Sequence, residues 1–488
     1  MLNTMADDLQ ILFLPFLSPG HIIPMVDLAR LFAGRGIKAT VVTTTGNVPL
    51  VKPTVDLANT DASLRHPIQL LPLRLPCSEA GIPEGYENLA DFPESDPDDF
   101  FRFIAATERL EPSFSLVLKT HRPDCVVVDF FYPWATRVAQ DASVPSLLFN
   151  GSNFFSSAVI KIVQDGELKQ GDLETERLIE VPGIPQKIRL KLSNLPYNVL
   201  HPNQFSHRMA ESLHRIHGTV VNSFYELERD YVDRAPNSRD VRFWFVGPVS
   251  LQNRDMDTKM VRGSGDAASG SADHFLSWLE TKRPRSVLYV CFGSMAWFTA
   301  TQLREIARGL EASDRPFIWV VRNAGETSEW LPEGFESRVV GGGKGMLVQG
   351  WAPQLLILNH EAVGGFVTHC GWNSCLEAIA AGVPVITWPL FAEQFLNEEL
   401  LVNVHKMGIS IGVLSSCDKA EERTVVNGEQ LKAAVDELMG SGEEAEERRK
   451  RARELGQTAR RAMEEGGSSH EAMTCLIDEL IRLKTTVD

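Results

Sequence analysis

Residues 351–394 read WAPQLLILNHEAVGGFVTHCGWNSCLEAIAAGVPVITWPLFAEQ, and no other part of the chain restricts its fold so sharply. A strand pattern at 345–349 (GMLVQ) runs toward Trp351, an aromatic suited to stacking on a flat base. A second apolar run at 365–368 leads into His369, Cys370 and Gly371, after which Asn373 and Ser374 open a helix. Such a helix start presents free backbone N–H groups and the positive end of the helix dipole, which bind phosphate without a metal. Glu377 follows Asn373 by four residues and Ser374 by three, on the same helical face. A third strand pattern at 383–387 precedes Glu393 and Gln394, side chains suited to hydroxyl groups. Base, phosphate and hydroxyl contacts along one segment imply a site for a nucleotide diphosphate bearing a sugar.

At 488 residues the chain exceeds one ordinary core, so two domains are expected. Its 43% hydrophobic and 23% charged residues match a soluble globular enzyme. The formal net charge of −16 argues against a nucleic-acid or anionic-membrane partner. A diphosphate site must then be local, built from backbone dipoles and a few polar side chains. The cysteines (77, 125, 291, 370, 375, 417 and 475) show no zinc-ligand spacing, and Cys370 and Cys375 are too far apart for CxxC. No metal is expected, and a reduced, cytoplasmic setting fits best. The apolar LQILFLPFL follows Asp7 and Asp8 and is interrupted by Pro15, so it reads as a buried strand and not a secretion signal. No apolar run approaches the roughly 20 residues that cross a bilayer. A monomer is the default expectation.

Candidate strands at 11–16, 38–43, 69–73, 125–128, 146–149 and 219–221 alternate with helical patterns such as IPMVDLARLFAGRG, which ends in glycines. The Pro-, Gly- and acid-rich stretch 78–98 reads as a surface loop. Residues 250–273, ending RGSGDAASGSAD, have linker composition, after which strand–helix alternation restarts with SVLYVCF and PFIWVV. The expected fold is α/β, two facing Rossmann-like domains at 1–249 and 274–465, with ligands in the cleft at the carboxyl ends of the strands.

His21, in SPGH, lies where the first strand gives way to a helix. An imidazole there can take a proton near neutral pH, or merely cap the helix. Asp129 ends the run CVVV; it can orient an imidazole, as in a hydrolase His–Asp pair, or cap the next helix. Spacing alone does not pair the two. Ser294, in CFGSM, follows a glycine that permits close backbone approach, though Gly-Ser turns are common.

The 351–394 segment closely resembles the C-terminal signature box of the plant family 1 UDP-glycosyltransferases, and the resemblance extends from PFLSPGHIIPM to the last helix. It implies a GT-B type fold, with a final helix at 466–488 returning to the first domain. It pairs His21 with Asp129 as a catalytic dyad and places Ser294 on the diphosphate. Trp351 would stack on uracil, the Ala352 backbone would read its edge, and Gln354 would lie near the ribose. His369, Asn373 and Ser374 would hold the diphosphate, and Glu377 would accept from ribose hydroxyls. Trp372, Glu393 and Gln394 would surround the sugar. The family often has Asp where this chain has Glu393, and Cys375 fills a position where members vary. Gln394 accompanies glucose, so UDP-glucose is the expected co-substrate, with no cofactor. The reaction implied is inverting transfer to a hydroxyl of a small, largely apolar secondary metabolite such as a flavonoid, terpenoid, steroid or phenol. Phe16, Phe130 and Asn150 are candidate acceptor contacts. Transfer of galactose or xylose, a non-catalytic receptor on the same scaffold, and a nucleotide-sugar epimerase are the competing readings.

Overall fold

The computed structural model describes residues 9–92, 97–165, 178–184, 186–234, 242–264, 272–322, 325 and 327–487. The first lobe is built on β1 (Gln10–Leu14), β2 (Lys38–Thr44), β3 (Gln69–Leu73), β4 (Cys125–Asp129) and β5 (Ser146–Asn150). A short antiparallel pair, β6 (Leu178–Glu180) and β7 (Arg189–Lys191), precedes β8 (Gly218–Val221) and β9 (Phe243–Phe245). Seven of these strands form one parallel sheet in the order β3-β2-β1-β4-β5-β8-β9. The second lobe carries β10 (Val287–Cys291), β11 (Phe317–Val321), β12 (Gly345–Gln349), β13 (Val363–Thr368), β14 (Val385–Thr387) and β15 (Gly408–Ser410). Its parallel sheet runs β12-β11-β10-β13-β14-β15. The central strands CVVVD, VLYVC, FIWVV and VGGFVT are buried at every position, as parallel strands covered on both faces require.

Strand order decides where the chemistry lies. In the first sheet β1 sits between β2 and β4, so the connections after β1 and β4 leave on opposite sides and open a crevice at their carboxyl ends. The second sheet repeats this at β10 and β13. His21 and Asp129 fall at the first crevice, Ser294 and His369 at the second.

Every candidate strand of the first half is present. The helix after β1 begins earlier than its apolar pattern, at Pro19, because Pro suits the first helical position; Pro19–Ala33 therefore carries His21 in its first turn. Within the stretch of linker composition, a helix forms at Met256–Val261, capped by the Asp255 carboxylate, which accepts from Thr258 N at 2.7 Å. The last helix, Ser468–Val487, lies against the first lobe: Ser469 Oγ donates to the Gly247 carbonyl (2.7 Å), Arg35 donates to Thr474 Oγ1 (3.1 Å), and Lys484 meets Asp124 (3.1 Å). Its Met473, Leu476 and Leu480 belong to the first lobe's core. Another apolar cluster crosses between lobes, joining Phe155, Val221 and Phe224 to Cys370, Trp372 and Leu396. No helix among the described residues is long and apolar enough to cross a membrane.

Candidate active site

Asp129 is the last residue of β4, and its carboxylate is 1% exposed. One oxygen accepts the Phe131 amide (3.1 Å), and the other lies 2.9 Å from His21 Nδ1. Asp129 does not cap the following helix, Pro133–Asp141, whose cap position is Tyr132. An ionised carboxylate only accepts, so Nδ1 carries the proton and Nε2 keeps a free lone pair. The imidazole is 27% exposed and held edge-on by Phe16 and at a tilt by Phe131, with ring centroids 5.4 and 5.3 Å away. Burial opposes its charged form, but the charge and hydrogen bond of Asp129, with a smaller contribution from Glu393, raise its pKa above 6.5. Glu393 belongs to the second lobe, so its field reaches His21 across the cleft.

On the facing side, β13 ends at Thr368 and the chain turns through His369 and Cys370, the latter at φ 65°. Gly293 and Gly371 flank the imidazole of His369; a Cβ on either would stand 2.6 Å from its Cε1 or 2.4 Å from its Nε2. Burial without a counter-charge pushes His369 down to about 4, so it meets a ligand as a neutral ring. Gly371 then starts the helix Trp372–Ala381, whose first amides, including those of Asn373 and Ser374, have no intrahelical acceptor. Ser294, directly after Gly293, is half-buried in the turn that follows β10.

Gln354 organises the other end. Its amide nitrogen donates to Ser374 Oγ (3.1 Å) and Glu377 Oε2 (2.7 Å), and its oxygen accepts from Tyr289 (3.3 Å). The Ala352 carbonyl accepts the Gln354 amide at 2.8 Å, and Trp351 is half-buried just after β12. Gln394 is buried, and its side-chain oxygen accepts the amides of Leu390 (2.8 Å) and Phe391 (3.2 Å). Only its –NH2 group remains to meet a hydroxyl, so it can donate to a sugar but not accept from one.

The lobes are tied by polar contacts at the cleft floor. Asn373 Nδ2 donates to the Gly20 carbonyl (2.6 Å), and its oxygen lies 3.4 Å from Asn222 Nδ2. The Trp372 indole N–H donates to the Asn222 carbonyl (2.8 Å), so this side chain is an interlobe pin, 3% exposed. Asn397 accepts from Asn153 Nδ2 (2.5 Å) and Ser156 Oγ (3.3 Å), and donates to the Cys370 carbonyl (2.8 Å) and toward Glu393 (3.4 Å). Arg262 pairs with Asp27 and Glu377, each at 2.6 Å. Asn222, Asn397 and Arg262 carry no sequence signal, because the partners that tie them across the lobes are more than a hundred residues away.

Of the acceptor candidates, Phe16 is 1% exposed and ringed by Phe103, Phe131 and Tyr132. It backs His21 and offers no open wall. Phe130 is half-buried against Phe131, with centroids 5.8 Å apart. Asn150 ends β5 and turns the chain toward the next helix, accepting from Ser152 N (3.0 Å) and donating to Ser157 Oγ (3.2 Å).

Two doubly wound lobes, with an oriented imidazole on one and a phosphate-ready helix start on the other, define a GT-B type glycosyltransferase. The family described as "UDP-glucoronosyl and UDP-glucosyl transferase" matches residues 266–439. The chain is 43% identical to the UDP-glucose flavonoid 3-O-glucosyltransferase 7 of Fragaria ananassa, over 97% of this chain and 96% of that one. The crystal structure of Glycyrrhiza uralensis UGT73P12 with glycyrrhetinic acid 3-O-monoglucuronide superposes with a TM-score of 0.88 at 35% identity, covering 98% of this chain and 96% of that one. Medicago truncatula UGT71G1 with UDP-glucose gives 0.78 at 28% identity, covering 98% and 99%. The chain belongs to the plant family 1 UDP-glycosyltransferases and is a UDP-glycosyltransferase enzyme.

Proposed function

We propose that the chain transfers glucose from UDP-glucose to a hydroxyl of a small, largely apolar plant metabolite, giving a β-glucoside. His21 Nε2 takes the hydroxyl proton as the acceptor oxygen bonds to the anomeric carbon. The bond from that carbon to the β-phosphate oxygen breaks on the opposite face, and its electron pair leaves with UDP. A single displacement through an oxocarbenium-like state inverts the α-linked donor. Asp129 holds the tautomer and stabilises the imidazolium. The amides opening the helix Trp372–Ala381, with neutral His369 donating, meet the charge that grows on the leaving diphosphate. Trp351, Ala352 and Gln354 would take the uridine, Glu377 the ribose hydroxyls, Ser294 a phosphate oxygen, and Glu393 and Gln394 the glucose.

The observation that carries this reading is the 2.9 Å His21–Asp129 contact, with the second lobe's Glu393 close enough to bias the same imidazole. The half-buried Phe130 and Phe131 favour a flat, apolar acceptor, in keeping with the flavonoid acceptor named for the Fragaria ananassa relative. The test incubates the protein with UDP-glucose, UDP-galactose and UDP-xylose in turn against phenolic and terpenoid alcohols. A product one hexose heavier, with a β-anomeric proton coupling and UDP-glucose preferred, supports the reading. Absence of acceptor-dependent UDP release would overturn it.

A further inference from the structure

We infer that Arg262 is a positioning residue of the donor site, tying the helix that carries His21 to the helix that would hold the nucleotide. The inference rests on the reading of Glu377 as the ribose-binding carboxylate. Arg262 Nε donates to Asp27 Oδ2 and Nη1 to Glu377 Oε1, both at 2.6 Å. Asp27 lies six residues beyond His21 on Pro19–Ala33, and Glu377 lies on Trp372–Ala381. The three side chains are 9% (Arg262), 0% (Asp27) and 4% (Glu377) exposed.

Two buried carboxylates from opposite lobes would repel each other as the lobes meet. A planar guanidinium between them turns that repulsion into two charge-assisted hydrogen bonds, which a lysine ammonium cannot span in the same way. The rest of the cluster fixes the geometry. Asp27 Oδ1 accepts from Asn253 (3.0 Å), Asn253 accepts from Arg30 (2.6 Å), and Gln354 holds the second oxygen of Glu377 (2.7 Å). Each carboxylate oxygen of Glu377 has one protein partner and keeps a further lone pair, so a ribose diol meets an oriented acceptor. The chain reaches this place by close approach. Gly263 has φ 72°, and a Cβ there would stand 2.6 Å from Ile23 Cδ1 and 4.0 Å from Trp351 Nε1. Thr54 of the first lobe also donates to the Val261 carbonyl (3.3 Å).

The experiment measures UDP affinity by calorimetry, KM for UDP-glucose and for the acceptor, and melting temperature. Its proteins are the wild type, Arg262→Lys, Arg262→Met, and Arg262→Met combined with Asp27→Asn. Arg262→Met leaves buried Glu377 without its guanidinium and Asp27 with only Arg30, 3.5 Å away, as a cation, and is expected to melt earlier. The double variant removes one of those charges and recovers the melting temperature. With Glu377 left unsteadied, its UDP dissociation constant and donor KM are expected to stay raised by about tenfold or more, with acceptor KM unchanged. Arg262→Lys falls between. Wild-type donor KM and UDP affinity in the double variant would reduce Arg262 to a fold-stabilising role and overturn the inference. Tighter UDP binding in Arg262→Met would also overturn it, marking the arginine as a competitor for Glu377. Absence of UDP binding by the wild type itself would overturn the donor-site reading, a distinct result.

Discussion

The Asn373 carboxamide donates a 2.6 Å hydrogen bond to the carbonyl of Gly20, joining the first turn of the helix Trp372–Ala381 to the residue before His21. In the proposed mechanism the distance between base and leaving group then depends on this interlobe bond as well as on the packing of two lobes. Replacing Asn373 by Ala removes this bond and frees Asn222, while the backbone amides that face a diphosphate stay in place. Steady-state kinetics should show kcat falling about 10- to 100-fold with a smaller change in donor KM, since misplacement by an ångström costs about that much.

Protonation of His21 gives the next prediction. A base must be neutral, and Asp129 holds the His21 pKa above 6.5, so kcat/KM should rise with pH through that raised value. Asp129→Asn removes the counter-charge, shifts the acid limb to lower pH, and lowers the plateau by about 10²- to 10⁴-fold. For stability the sign reverses. The charged His–Asp pair contributes fully below pH 6.5, and the contribution fades as pH rises through the folded-state pKa. A pH–rate profile and pH-dependent melting of both proteins check the two signs.

Asn397 is fully buried and satisfied on all sides by both lobes. Asn397→Asp keeps acceptance from Asn153 but turns an oxygen toward the Cys370 carbonyl and Glu393. It should cost about 1–3 kcal/mol in chemical denaturation. Released UDP not matched by glucoside should increase, because the glucose end loses its support.

Gly293 allows the sheet edge to pass the His369 ring at φ 78°. A methyl group there meets both a disfavoured backbone conformation and the imidazole. Gly293→Ala is expected to lose about 1–3 kcal/mol of stability and to weaken UDP binding more than acceptor binding, as read by calorimetry.

Much of this was legible from residue order alone. Val- and Ile-rich runs such as CVVV and FIWVV announce doubly buried strands, and their alternation with helices gives the parallel sheets. The three-residue strands β6, β7, β9 and β15 carry no period of their own, whereas the equally short β14 was legible within the apolar run of the 351–394 segment. The candidate donor residues were legible because the turn after β13 and its helix are contiguous in sequence. His21 and Asp129 were each legible at a strand end; only the adjacency of β1 and β4, with Leu14 beside Val128, brings them together. Arg262 sat in a stretch whose Ser, Gly and Asp content reads as linker. Its role depends on Asp27 and Glu377, which no local pattern connects to it.

The central claim is that the imidazole of one lobe deprotonates an acceptor poised against a sugar held by the other. Its most direct test is glucosyl transfer by His21→Ala, with UDP affinity measured on the same preparation. The account predicts transfer reduced by about 10²-fold or more with UDP binding unchanged. Near-normal transfer by that variant would contradict it.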